Sequence, residues 1–302
     1  MSLVEPPSLE YYDVNLERVR ELVCDQYPEW AHLPLKQFAS EGTDNAVFRL
    51  GEEMVVRLPR TKKASLQVEK EQLWLPRLAP YLSLTIPTLL GAGRPTDTYP
   101  FPWSIYDWIK GDIATVERVE GNVHRAARTL GTFITSLQAI SSSGGPLPGE
   151  HNFYRGAPLT GRDDMVQVAL TEAGSAFDVQ KARRVWSGVM QIPEWKGPPM
   201  WIHGDLADSN ILWRDGDIRA VIDFGGLCVG DPACDLMIGW DVVAGARSTF
   251  RETVAPDDDS WERGRGWALS TGLITFSRFK HSRPGVAACA LHKITQVLSD
   301  EA

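Results

Sequence analysis

The sequence predicts an α+β protein with a small N-terminal lobe built on an antiparallel sheet and a larger, mainly helical C-terminal lobe. Two observations predict this class. Short apolar runs separated by glycine and proline dominate the chain before Gly111, whereas longer helical patterns dominate the chain after it. We expect the two lobes to span residues 1–106 and 107–302, with the joint near Tyr106–Gly111.

The N-terminal lobe is predicted to contain a β-hairpin, helices and two further strands. Apolar residues at helical spacing in residues 15–27 predict the first helix. The runs Ala46–Leu50 and Met54–Leu58 flank a Gly-Glu-Glu turn and predict the hairpin. Residues 65–82 predict a second helix, and the proline-punctuated stretch 85–111 predicts two more strands.

Helices dominate the predicted C-terminal lobe. Residues 122–140 carry a long helical pattern that ends in a loop rich in serine, glycine and proline. Residues 163–191 and 284–299 predict further helices. The cluster Asp257–Ser260 resembles an N-cap before another helical stretch, because its side chains can accept hydrogen bonds from backbone N–H groups there.

Composition and charge argue against several classes of protein. The chain has 302 residues, of which 43% are hydrophobic and 23% charged, as in ordinary globular proteins. A net charge of −8 argues against a nucleic-acid partner. The sequence shows neither a secretory signal nor an apolar run of about 18 residues, so we expect a cytoplasmic protein without membrane spans. A monomer is the default expectation.

The cysteines do not suggest a metal cage. There are 4 of them, and none belongs to a Cys-x-x-Cys pair. Paired cysteines at ligand spacing are the usual mark of a structural zinc site. We therefore expect the thiols to stay reduced, as is usual in a cytosol.

The strongest chemical signal lies in residues 201–226. His203, Asp205 and Asn210 have the spacing H-x-D-x-x-x-x-N. Two short apolar runs follow, joined through an Asp-Gly turn, and the second run ends at Asp223. A β-ribbon of this kind returns Asp223 to the Asp205–Asn210 loop.

Three oxygen-bearing side chains that converge in this way need a cation between them, because unpaired buried charges are costly. Mg²⁺ prefers oxygen ligands and keeps several waters, so one carboxylate and one amide are enough protein ligands. In kinase chemistry, the first aspartate of such a pattern orients a hydroxyl and the other two groups hold Mg²⁺ beside a nucleoside triphosphate. The pattern therefore predicts Asp205 as the catalytic base, with Asn210 and Asp223 as metal ligands.

Two other interpretations of this stretch are weaker. His203 and Asp205 could ligate the metal of a hydrolase, but the sequence has no second histidine cluster at ligand spacing. Alternatively, Asp205 could cap a turn and Asp223 could simply end a strand. The agreement of spacing, ribbon and order favours the kinase interpretation over both.

These motifs resemble those of the aminoglycoside phosphotransferase family, whose fold is similar to that of protein kinases. The matching stretches read HGDLADSN (203–210), VIDFGG (221–226) and GDPACDL (230–236). The resemblance implies a bilobal, protein-kinase-like fold and an enzyme that moves the γ-phosphoryl group of ATP or GTP, with Mg²⁺, to a small-molecule alcohol. An aminoglycoside-type antibiotic is the expected acceptor, and antibiotic resistance the expected role. The alternatives are a macrolide, another hydroxylated metabolite, or a catalytically silent nucleotide-binding pseudokinase.

The resemblance also implies roles for single residues. His203 would share the catalytic loop with Asp205, more as its support than as a proton carrier. Asp235 would brace that loop through backbone N–H groups. Asp231 is either a turn former or a functional group. Arg57 stands where the aminoglycoside enzymes tend to carry a phosphate-binding lysine, a departure that is similar to macrolide phosphotransferases; arginine can also hold phosphate, bidentately.

The remaining predicted contacts concern the nucleotide. Glu71 is expected to pair with the cation of Arg57, with Glu69 as the alternative. Backbone amides of Gly42 and Thr43 would contact phosphate in a tight turn. Backbone groups from Tyr106 to Trp108 would meet the adenine or guanine base.

Overall fold

The structure is a computed structural model that describes residues 12–38 and 44–300. The chain divides into two compact units. The first holds the larger antiparallel sheet, and the second holds most of the helices. The predicted α+β class, with an antiparallel N-terminal lobe and a helical C-terminal lobe, is confirmed.

The first unit contains the chain up to Pro80 together with Ile86–Lys110. Its five-stranded sheet has the order β1-β2-β3-β5-β4, and all neighbouring strands are antiparallel. The strands are β1 (Leu35–Gln37), β2 (Asn45–Leu50), β3 (Met54–Pro59), β4 (Leu89–Gly93) and β5 (Trp103–Asp107).

Strands β2 and β3 form the predicted hairpin, with Leu50 opposite Met54. Alternate side chains of β2, those of Ala46, Phe48 and Leu50, are buried, as the two-residue period of a strand requires. Gly51, at a φ of +60°, turns the chain between the strands, in a conformation that glycine adopts without strain.

Among its described residues the first unit has two α-helices, α1 (Leu16–Gln26) and α2 (Lys62–Leu78). Each has a side-chain N-cap. The Asn15 amide oxygen accepts from the backbone N–H of Arg18 at 3.0 Å, and the Thr61 hydroxyl caps α2 in the same way. These caps satisfy donors that a helix N-terminus otherwise leaves unpaired.

The second unit contains Tyr81–Thr85 and the chain from Gly111 onward. Two small antiparallel sheets lie in it, one with the order β6-β8-β9 and one that pairs β10 with β7. Their strands are β6 (Asp112–Ile113), β7 (Met200–Ile202), β8 (Ile211–Arg214), β9 (Asp217–Val221) and β10 (Cys228–Gly230).

Helices make up most of the second unit. The predicted helical stretch 163–191 is divided into two helices, and a 3₁₀ helix spans Pro232–Trp240. The α-helices are α3 (Val116–Val119), α4 (Val123–Gln138), α5 (Asp163–Glu172), α6 (Val179–Val189), α7 (Arg247–Val254), α8 (Asp258–Phe279) and α9 (Pro284–Ser299).

Helix α8 is the central helix of this unit, because all its residues from 260 to 273 are buried except Glu262. Gly264 allows close packing, since a Cβ atom there would lie 2.6 Å from the Leu236 side chain. The predicted N-cap is confirmed: Asp257 Oδ1 accepts from the backbone N–H of Ser260 at 2.7 Å.

The structure also bears on two expectations from composition. Among the described residues, no helix is both long enough and apolar enough to cross a membrane. All four cysteines are described and none forms a disulfide.

Candidate active site

The loop between β7 and β8 carries His203 and Asp205. It turns at Gly204, which has a φ of +81°. A Cβ atom at this position would lie 2.3 Å from the carbonyl oxygen of Gly226, so only glycine fits. This close approach places the loop against the turn that follows Asp223.

A buried carboxylate, that of Asp235, fixes the start of this loop. Its Oδ2 accepts from the backbone N–H of His203 at 2.6 Å, and its Oδ1 accepts from that of Gly204 at 2.8 Å. Burial raises the pKa of Asp235, and these two hydrogen bonds from the backbone oppose that rise. The predicted bracing contact of Asp235 is confirmed.

His203 is fully buried beside Asp205, and both nitrogens of its ring face backbone groups. Nε2 lies 3.1 Å from the carbonyl oxygen of Ile222, and Nδ1 accepts from the backbone N–H of Asp205 at 3.2 Å. Since a carbonyl oxygen can only accept, Nε2 carries the proton. The ring also packs edge-on against Phe224, with centroids 4.6 Å apart. His203 thus links the loop to the residues on either side of Asp223.

The side chain of Asp205 has a neighbour at each oxygen. Arg155 Nη2 donates to Oδ1 at 3.2 Å. Asn210 Nδ2 donates to the backbone oxygen of Asp205 at 2.8 Å and reaches Oδ2 at 3.4 Å. The Asp205 side chain nevertheless stays 49% exposed, so the carboxylate is oriented and still accessible.

The ribbon of β8 and β9 returns the chain to this loop, as predicted. Asp215 and Gly216 both have positive φ, which is the turn chemistry that the Asp-Gly pair indicates. At the far end of the ribbon, Ile222 donates its backbone N–H to the oxygen of Asn210 at 2.9 Å. Asp223 follows at a φ of +63°, in the left-handed region. The backbone therefore brings together the segments that carry Asp205, Asn210 and Asp223.

In the first unit, Arg57 on β3 and Glu71 on α2 lie within ion-pair distance, 3.5 Å from Nη1 to Oε2. Tyr106 donates its hydroxyl to the same carboxylate oxygen at 3.0 Å. Burial and the Glu71 carboxylate raise the pKa of Tyr106, so the phenol remains a donor. Glu69, the alternative partner, lies on the exposed face of the helix.

The backbone predicted to meet the base is partly engaged within the sheet. Trp108 donates its N–H to the oxygen of Glu53 at 2.7 Å, and its ring stacks under the Arg49 guanidinium at 4.0 Å. The ring of Tyr106 points into the interior, where it bonds Glu71. Gly42 and Thr43 lie outside the described residues.

Arg155, which contacts Asp205 in the candidate site, was not predicted from the sequence. Asn152, which is fully buried, holds its segment by donating to the oxygens of Arg155 at 3.0 Å and Gly226 at 3.2 Å. Phe153 and Tyr154, between them, are both left-handed at a φ of 56°. No spacing in this stretch connects it to the Asp205 loop, so no sequence signal marked it.

Residues 36–267 of the chain match the model of the phosphotransferase enzyme family. The chain belongs to this family. The predicted resemblance to aminoglycoside phosphotransferases is thereby confirmed. A comparison with curated protein sequences finds no match.

The fold of this phosphotransferase is similar to that of several solved structures. It is similar to wild-type aminoglycoside 2'-phosphotransferase-IIIa in its GDP complex, with a TM-score of 0.72 and 17% identity over 95% of this chain and 99% of that one. The GDP and kanamycin complex of APH(2")-IIIa has a TM-score of 0.71 and 17% identity, covering 95% and 100% of the two chains. Macrolide 2'-phosphotransferase MphH from Brachybacterium faecium has a TM-score of 0.55 and 20% identity, covering 95% and 100%. The phosphotransferase thus shares its fold with both groups.

Proposed function

We propose that this protein transfers the γ-phosphoryl group of a nucleoside triphosphate to a hydroxyl group of a small molecule. The observation that carries the proposal is the placement of Asp205, whose carboxylate is half exposed while buried Asp235 and His203 fix its backbone. A carboxylate held in this way suits a base that accepts a hydrogen bond from the attacking hydroxyl. Membership of the phosphotransferase family supports the same reaction.

Most of the rate in such a transfer comes from positioning and electrostatics rather than from covalent chemistry. Asp205 would orient the hydroxyl for in-line attack. Arg155 and Asn210 would keep the carboxylate in one orientation, because each holds one of its oxygens. His203 would stabilise the loop, since both of its ring nitrogens face the backbone.

Asn210 and Asp223 are the proposed ligands of Mg²⁺. The Asn210 Nδ2 group is used inside the loop, so Oδ1 is the side-chain atom that remains for a cation. One amide oxygen and one carboxylate suit Mg²⁺, which completes its shell with waters and phosphate oxygens. The bound ion would neutralise charge on the phosphates.

The nucleotide would be held by residues 1–106, with residues 107–302 supplying catalysis and the acceptor site. The Arg57–Glu71 pair supports this, because a guanidinium oriented by a buried carboxylate can contact phosphate oxygens. Phosphotransferases of similar fold have been solved with GDP, ADP or AMP-PNP. ATP and GTP are therefore both candidate donors here.

The acceptor is proposed to be a hydroxylated small molecule. Two proteins of similar fold have been solved with kanamycin and with hygromycin B bound, and a third protein of similar fold is a macrolide 2'-phosphotransferase. An aminoglycoside-type antibiotic, with resistance as the role, is thus one candidate, and a macrolide or another hydroxylated metabolite is the other.

A nucleotide-consumption screen tests the proposal. Purified protein is given ATP or GTP with a panel of aminoglycosides, macrolides and hydroxylated metabolites. We expect acceptor-dependent turnover that falls at least about 100-fold in Asp205→Asn. Asp215→Asn is the matched control, since that carboxylate is 87% exposed at the tip of the ribbon. Nucleotide binding without turnover across the panel would instead indicate a silent pseudokinase.

A further inference from the structure

Two arginines lie close to the Asp205 carboxylate, Arg155 and Arg162, and we call them the arginine pair. They approach the same indole, that of Trp267. The guanidinium carbon of Arg162 lies 4.8 Å from the ring centroid and that of Arg155 lies 6.0 Å from it. Arg155 also donates to Thr271 Oγ1 at 2.9 Å, which fixes its second arm on α8. The pair is therefore built into the second unit.

Among the described residues Arg162 forms no ion pair, and Asp205 is the carboxylate whose charge acts on it. Its side chain is buried, at 7% exposure, and its one hydrogen bond runs from Nε to the Ser270 hydroxyl at 2.9 Å. A guanidinium has five N–H donors, so the four on its two terminal nitrogens have no partner in the described chain. These terminal nitrogens are not among the fully buried atoms that lack a partner, so solvent or an anionic group of a ligand can reach them.

The charges around Asp205 also favour an anionic ligand. Burial, followed by the charge of Arg155, lowers the pKa of Arg162 to about 9, so it stays charged at neutral pH. The pair thus brings two positive charges to one carboxylate, that of Asp205. The indole N–H of Trp267 is a further buried donor that has no partner in the described chain.

Arg155, a member of the pair, and Asn210, a proposed metal ligand, contact different oxygens of the Asp205 carboxylate. Arg155 binds Oδ1, whereas Asn210 reaches Oδ2. A ligand held by the pair would therefore lie beside the Asp205 carboxylate and the hydroxyl that it orients. This points to the acceptor and not to the phosphates of the donor.

We infer that the arginine pair binds an anionic group of the phosphoryl acceptor, so that the substrate is an alcohol bearing a carboxylate or a phosphate ester. The inference rests on the proposed function and favours a hydroxylated metabolite over a polycationic aminoglycoside. Planar guanidinium groups suit both anions, because each offers paired oxygens to paired N–H donors.

Binding of matched ligand pairs tests this inference without any variant. Wild-type protein, loaded with a non-hydrolysable nucleotide and Mg²⁺, is titrated at constant ionic strength with hydroxy acids and phosphorylated alcohols. Each anionic ligand is compared with an uncharged compound of similar structure. The carboxylate arm compares glycerate with glyceramide, and the phosphate arm compares glycerol 3-phosphate with glycerol. Kanamycin is the polycationic ligand. We expect the members of one anionic arm to bind at least about 10-fold more tightly than their neutral partners. Equal or tighter binding of the neutral or cationic members overturns the inference.

Variants test whether the preference for anionic ligands depends on Arg162. Arg162→Met should remove the preference for anions by about 10- to 100-fold, and Arg162→Lys should keep part of it. Arg184→Met is the matched control, an exposed arginine on α6. Unchanged anion affinity in Arg162→Met contradicts the inference. Acceptor-free nucleotide hydrolysis, measured alongside, reports the proposed function separately: it should be unchanged in Arg184→Met and lost in Asp205→Asn.

Discussion

The carboxylate of Asp235 accepts the backbone N–H of Gly204 at 2.8 Å, from a position 31 residues further along the chain. With its other oxygen it accepts from His203, so a single buried side chain sets the path of the backbone into Asp205. The geometry of the loop thus depends on a residue outside it. That dependence leads to the first prediction.

Asp235→Asn should destabilise the fold and reduce activity together. The amide has one acceptor oxygen, so its NH₂ group would oppose one of the two N–H donors. We expect a loss of about 1–3 kcal/mol in the free energy of unfolding, as is typical when a buried donor is left unpaired. Urea denaturation measures it, with Asp215→Asn as the exposed control. A stability equal to wild type would show that the contact has little energetic weight.

Glu71→Gln should weaken nucleotide binding. Glu71 is buried beside Arg57 and Tyr106, and removing its charge takes away the ion pair that orients the Arg57 guanidinium. We expect nucleotide affinity to fall about 10-fold and stability to fall by about 2–4 kcal/mol. Calorimetric titration with nucleotide measures the first effect. Glu69→Gln, on the exposed face of the same helix, should change neither quantity, and an equal effect there would count against the specific pair.

Asp231→Asn should affect stability and not chemistry. Asp231 was open to two interpretations from sequence, and the structure shows it capping the 3₁₀ helix at Ala233 and pairing with Arg263 at 2.8 Å. Both partners of the pair are 7% exposed, so breaking it should cost about 3–5 kcal/mol. Chemical denaturation tests this, with Asp258→Asn in the exposed pair with Arg251 as the control, where less than about 1 kcal/mol is expected. A loss of turnover per folded molecule would instead place Asp231 in the chemistry.

The stability of the second unit should decline in acid partly through Asp163. Hydrogen bonds from Gln167 and Trp186 lower the pKa of Asp163 below its unfolded value. Because the pKa of Asp163 is lower in the folded protein than in the unfolded chain, its ionised form stabilises the fold above about pH 4. That stabilisation is lost as the pH falls through the pKa of the folded state. Thermal melts from pH 3 to 7 should show the gap between wild type and Asp163→Asn narrowing below about pH 4. A gap that is constant with pH would exclude the ionised form as the source.

The elements that were predicted correctly from the sequence depend on interactions between residues a few positions apart. The β2–β3 hairpin follows from alternating burial around Gly51, and the β8–β9 ribbon follows from an Asp-Gly turn that needs positive φ. The placement of Asn210 near Asp223 is a direct consequence of that ribbon. Asp257 could be predicted as an N-cap because its partner lies three residues away.

What sequence did not reveal depends on contacts between distant segments. Strands β7 and β10 are three residues each and have no period to detect. Arg155 reaches Asp205 across 50 residues, and Arg162 reaches Ser270 across 108. Nothing local distinguishes these arginines from exposed ones, so only the folded chain shows them beside the candidate site.

Calorimetric titration of ATP or GTP with and without Mg²⁺, on wild type, Asp223→Asn and Asp205→Asn, tests whether Asp223 holds the metal beside the nucleotide. We expect Asp223→Asn to lose the Mg²⁺-dependent part of the affinity, about 10-fold or more, because it removes a metal ligand. Asp205→Asn should bind the Mg²⁺-nucleotide nearly as wild type does. Unchanged Mg²⁺-dependent binding in Asp223→Asn would contradict the assignment of that carboxylate to the metal, and with it the proposed site.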